Sequence, residues 1–149
     1  RKTALTKCVK HYKQAIEEYS LNNKEKAYEN LGRAIHFLED LSTCVHTGYD
    51  HPTDAIVKLQ LHVHFEKICD KVSGKCDASV PIESLNYYTS NNVENIANST
   101  AVISNDNFYR LENLCSDVQL NEEKDLALNS VINAQKRVTG LVYKFVKEA

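Results

Sequence analysis

Three histidines and two carboxylates carry the chemistry this sequence can do: His36, Asp40, His46, His62 and Glu66. His36 precedes Asp40 by four residues and His62 precedes Glu66 by four. An α-helix turns every 3.6 residues, so each pair shares one helix face. An imidazole and a carboxylate one turn apart can grip a divalent cation, and these donor types suit Zn2+. Taken singly, such a pair is a helix-face interaction of about 0.2–0.5 kcal/mol. Repetition of the pair around a third histidine is what points to metal. Five ligands would then come from two helices and the turn between them.

Those helices can be read from apolar spacing. Leu5, Cys8, Tyr12, Ala15, Ile16 and Tyr19 predict a helix over 4–20, broken at Asn22-Asn23. Ala27, Leu31, Ile35, Leu38 and Leu41 predict a second over 24–42, with His36 and Asp40 beside its apolar face. Residues 43–52 read as a loop holding His46, Gly48, His51 and Pro52. Thr53 is the expected N-cap of a third helix, which carries Ile56, Leu59, Val63 and Ile68 together with His62 and Glu66. His64 points to a different face from His62. From Ser73 to Ser84 the pattern stops. Val93, Ile96, Ala97 and Val102 predict a fourth helix, and Phe108, Leu111, Leu114 and Cys115 a short fifth. The last, over about 121–147, has a long stripe from Leu128 to Val146. Lys136, Arg137, Lys144 and Lys147 read as its solvated face, complementing the C-terminal dipole. The expectation is one all-α domain spanning 1–149, a bundle of five to six helices.

Bulk properties agree with a globular domain. The 149 residues are 42% hydrophobic and 26% charged, with only four Gly and two Pro to interrupt helices. A net charge of −2 argues against nucleic acid as a partner held by bulk electrostatics. No apolar run approaches the roughly 18 residues of a membrane span. The sequence contains no Met, so Arg1 is expected to follow a cleavage or a trimmed boundary of a larger precursor. Five cysteines and the Asn98-Ser99-Thr100 sequon predict a secreted glycoprotein with one or two disulfides, Cys69 pairing with Cys76. Tyr87, Tyr88 and Tyr109 read either as ligand contacts or as core edges.

The stretch Leu31-Gly32-Arg33-Ala34-Ile35-His36-Phe37-Leu38-Glu39-Asp40, followed by His46, resembles the zinc-dependent phospholipase C family of secreted bacterial enzymes. His62-Val63-His64-Phe65-Glu66 is similar to that family's next ligand segment, and residues 134–140 look like its closing helix. A related single-strand nuclease family shares the first pattern but uses an aspartate in the later pair. The resemblance implies a helical phospholipase C/nuclease-like fold and a phospholipid or other phosphodiester substrate. It implies that His46, His62 and Glu66 hold one zinc, while His36 and Asp40 belong to a paired cluster. The family's amino-terminal ligands have no counterpart: there is no Trp, and His11 stands at the wrong distance from His36. Two readings follow. One is a phosphodiesterase part completed by an amino-terminal portion or a second chain; the other is a non-catalytic, toxin-like or binding protein with at most one zinc.

Overall fold

A computed structural model describes residues 3–47, 55–74, 79–114 and 120–149, with side chains left aside at 55–58, 112–114 and 120–121. Among the described residues there are seven helices and no strand: α1 (Ala4–Ser20), α2 (Lys24–Ser42), α3 (Cys44–Thr47), α4 (Ala55–Ser73), α5 (Ile82–Ser90), α6 (Val93–Leu114) and α7 (Leu120–Glu148). None is long and apolar enough to cross a membrane. The Thr53 cap, Gly48, His51, Pro52 and the Cys76 and Cys115 thiols, and with them the Cys69–Cys76 pairing, lie outside the described residues.

The α1–α2 hairpin follows the expected boundaries because the local signals agree. Thr3 caps α1 through its hydroxyl, 3.4 Å from the Thr6 amide. At the other end Asn22 takes a left-handed φ of 60°, which asparagine tolerates, and its amide donates to the Tyr19 carbonyl at 3.0 Å. Cys8, Tyr12 and Ala15 then pack against Leu31, Ala34 and Leu38, joined by Tyr88, Ile96, Leu141 and Phe145. A second cluster joins Cys44 of α3 to Leu61, Phe65 and Ile68 of α4, Phe108 and Leu111 of α6, and Leu126 and Ala127 of α7. Both α6 and α7 run through both clusters. The α2–α3 junction, between Leu41 of the first cluster and Cys44 of the second, lies along the seam.

Five expectations need correction. His46 sits in a short helix rather than a loop. The two helices expected between Val93 and Cys115 are one, α6. The expected gap between Val102 and Phe108 is helical because one buried face runs through it, formed by Ile96, Thr100, Ser104, Phe108 and Leu111, and the Thr100 hydroxyl donates back to the Ile96 carbonyl at 2.7 Å. Helix α5 begins inside the stretch from Ser73 to Ser84 where the apolar pattern stops and runs on to Ser90, where no helix is expected; nine residues are too few to show a period, and Tyr88 supplies most of its burial. On α4 the buried face is Leu61, Phe65 and Ile68, whereas Leu59 is 65% exposed and Val63 44%. Both sets have helical spacing, and burying Phe65 removes more apolar surface than the alternative face would. On α7, Lys144 is not solvated but 4% exposed and paired with Glu148, and Val146 is the exposed one.

Candidate metal centre

Packing, not the chain's local pattern, brings the donors together. Cys44 is fully buried against the α4 core face. The hydroxyls of Thr47 and fully buried Ser104 lie 3.1 Å apart and tie α3 to α6. His46 is therefore held on a helix fixed at both ends. On α4, Leu61 and Phe65 point into the core. His62 and Glu66 each follow one residue later, about 100° further round the helix, at the edge of that face.

The result is a tight cluster. Glu66 Oε1 lies 3.0 Å from His62 Nε2 and 3.4 Å from His46 Nε2. The two imidazole rings are 4.7 Å apart between centroids, inclined at 51°. The donor atoms of His46, His62 and Glu66 all fall within 4.8 Å of one another. In a tetrahedral zinc site with bonds of about 2.0–2.1 Å, neighbouring donors stand roughly 3.3 Å apart. Two of the three edges already have nearly that length. The side chains are a quarter to a half exposed, so solvent and ligands reach them.

His36 and Asp40 occupy a different position. His36 Nε2 is 3.6 Å from Asp40 Oδ2, and Asp40 Oδ1 is 3.9 Å from His46 Nδ1. Asp40 thus faces the nitrogen of His46 that the Glu66 side does not use. Both separations exceed hydrogen-bond length, so the contacts are electrostatic. Asp40 therefore presents negative charge to the Nδ1 side of His46 without a direct hydrogen bond. The i,i+4 spacing of His36 and Asp40 does put them on one face, with His36 the more open at 66% exposure.

Two further partnerships escaped the sequence. His64 Nε2 meets Glu123 Oε2 at 2.9 Å, joining α4 to α7, and Glu123 is 6% exposed. The signal available was weak, a lone histidine on α4 and a first-turn glutamate on α7. Tyr12 donates to Glu148 Oε2 at 3.0 Å, beside Lys144. Burial and the nearby carboxylate push the Tyr12 hydroxyl far above its ordinary pKa, and burial alone pushes the Cys8 thiol up to about 12. In the sequon, Asn98 is exposed but Thr100 is fully buried inside α6, so glycan transfer would have to precede folding. Tyr88 is a core residue, its ring packed against the helix backbone at Gly140, where a β-carbon would overlap it. Tyr87 bonds Ser99 and carries the Arg137 guanidinium over its ring.

Comparisons with protein-family models, curated proteins and solved structures returned no match to this chain.

Proposed function

We propose that this chain binds one zinc through His46, His62 and Glu66 and forms part of a secreted, zinc-dependent phosphodiester hydrolase of phospholipase C-like fold. The observation that carries the reading is Glu66 Oε1 lying between two imidazole Nε2 atoms at 3.0 and 3.4 Å. Two histidines and a glutamate are a donor set used in hydrolytic zinc sites, where the fourth position stays open. The ion would supply Lewis acidity toward phosphate oxygens and lower the pKa of a water in that position to about 7. Asp40 places negative charge 3.9 Å from His46 Nδ1. Glu66 would supply the carboxylate oxygen of the donor set. His36, the most exposed of the five, is free to face substrate or a donor from an amino-terminal portion or second chain. The phosphodiester substrate, phospholipid above all, rests on the resemblance of residues 31–46 and 62–66 to the family.

A non-catalytic zinc-binding protein is the second reading. One observation favours it: among the described residues, only His46, His62 and Glu66 bring three donors together. Release of phosphorylated head group from phosphatidylcholine, measured with zinc and after chelation, separates the two. Zinc-dependent turnover that is lost in Glu66→Gln supports the hydrolase. Zinc binding without turnover selects the binding protein.

A further inference from the structure

A second set of chemistry-bearing side chains lines a groove of about 660 Å³ between α1 and α2: Lys7, Lys10 and His11 from one side, Glu29, Gly32, Arg33, His36 and Phe37 from the other. Its volume lies within the range of small-molecule sites. Three cations face one carboxylate here, in a chain whose net charge is −2. That carboxylate, Glu29, is already engaged by Arg33 at 2.5 Å. The apolar wall is organised: His11 stacks on Phe37 at 5.8 Å and 11°, and Lys7 Nζ lies 5.2 Å from the Phe37 ring centroid. His11 donates from Nδ1 to Asn30 Oδ1 at 2.9 Å, which fixes its ring against Phe37. At Gly32 nothing lies within 4 Å of where a side chain would begin, so the groove is open above the α2 backbone. His36 belongs both to this groove and, through Asp40, to the chain of contacts ending at His46.

We propose that the α1–α2 groove is a subsite for a phosphate group, held by Lys7, Lys10 and Arg33 against the His11–Phe37 wall. Ammonium groups supply point charge and the guanidinium a two-pronged donor, the combination phosphate oxygens accept best. Phosphate affinity here is independent of the metal centre. Only its role as an anchor for a phosphorylated substrate next to that centre rests on the proposed function.

The test is a titration of metal-free protein with inorganic pyrophosphate, followed by amide resonances of residues 7–11 and 29–37. Saturable shifts at these positions are expected. Lys10→Gln/Arg33→Gln should weaken binding by about tenfold or more, since two charge-assisted contacts are lost. Gly32→Leu, which fills the groove without touching a charge, should weaken it as well. Glu29→Gln should strengthen it by releasing Arg33, a gain that misfolding cannot mimic. His62→Ala should abolish zinc binding and leave pyrophosphate binding intact, keeping failure of the two readings distinguishable. Vesicles of phosphatidylserine in phosphatidylcholine form the second arm: protein that sediments with them and is displaced by pyrophosphate takes its phosphate from lipid, while pyrophosphate binding alone assigns a soluble ligand. Absence of saturable shifts, or equal affinity in wild type, Lys10→Gln/Arg33→Gln and Gly32→Leu, overturns the proposal.

Discussion

Asp40 Oδ1 stands 3.9 Å from His46 Nδ1, on the opposite side of the imidazole from Glu66. At that distance the carboxylate acts by charge rather than by a hydrogen bond, adding negative potential beside an imidazole that would hold a cation. Asp40→Ala should therefore weaken zinc binding about 10–100-fold, the range found when the partner behind a metal-bound histidine is lost. Asp40 is part-buried, but its contacts with His36 and His46 are longer than hydrogen bonds, so thermal stability without metal should change little. Competition titration with a zinc chelator, together with melting of the metal-free protein, checks both halves. Equal zinc affinity in wild type and variant would remove Asp40 from the centre.

Zinc should raise the melting temperature, because a ligand that binds the folded state stabilises it by RT ln(1 + [L]/Kd). At a hundredfold excess over Kd the gain is about 2.7 kcal/mol. Calorimetry with and without zinc should show a shift of several degrees in wild type and none in His62→Ala.

The histidines separate by partner. Glu123 is 6% exposed and faces His64, so His64→Ala strands a buried carboxylate and should cost about 1 kcal/mol, discounted for the half-exposed ring. His36→Ala, at a position 66% exposed, should stay within about 0.5 kcal/mol. Urea unfolding of the metal-free variants measures the difference. Reversal of that order would contradict the α4–α7 role of His64.

Gly140 touches the Tyr88 ring, leaving no space for a methyl group. Gly140→Ala should destabilise by about 1–3 kcal/mol from overpacking, even after the helical preference for alanine offsets part of it. Combining it with Tyr88→Ala should cost less than the sum of the single changes, since the clash disappears with the ring. Additive losses in denaturant melts would show that the two do not interact.

Alkaline stability follows from Cys8 and Tyr12. Both are raised in the folded protein, so their contribution is intact below the unfolded values and is lost as pH climbs toward the folded ones. For Cys8 that window opens near 9 and extends to about 12. Stability should fall with pH across it, and Cys8→Ala should flatten the fall. A thiol reagent at neutral pH should leave Cys8 unmodified until the chain unfolds.

The helical class, both boundaries of α1 and α2, and the two i,i+4 donor pairs were legible because each is a local property. Amphipathic spacing and the left-handed Asn22 set the hairpin; four-residue intervals set the pairs. What was illegible depends on packing. No spacing rule says that Cys44 will sit beside Phe65 and so carry His46 to His62 and Glu66. Leu59 and Val63 match a helical face as well as Leu61 and Phe65 do, and only the core chooses between them. Helices α3 and α5 are too short to show a period, and polar Thr100 and Ser104, on the buried face between Ile96 and Phe108, hide the continuity of α6. His11, at the wrong spacing from His36 for a shared metal, nonetheless lines the same groove, because the hairpin folds α1 against α2.

The most direct measurement is zinc content by elemental analysis after dialysis against micromolar free metal, on wild type, His62→Ala and Glu66→Gln. The account predicts one zinc per chain in the wild type and none retained in either variant. A wild type without zinc, or variants that hold it as well, would contradict a centre built from His46, His62 and Glu66.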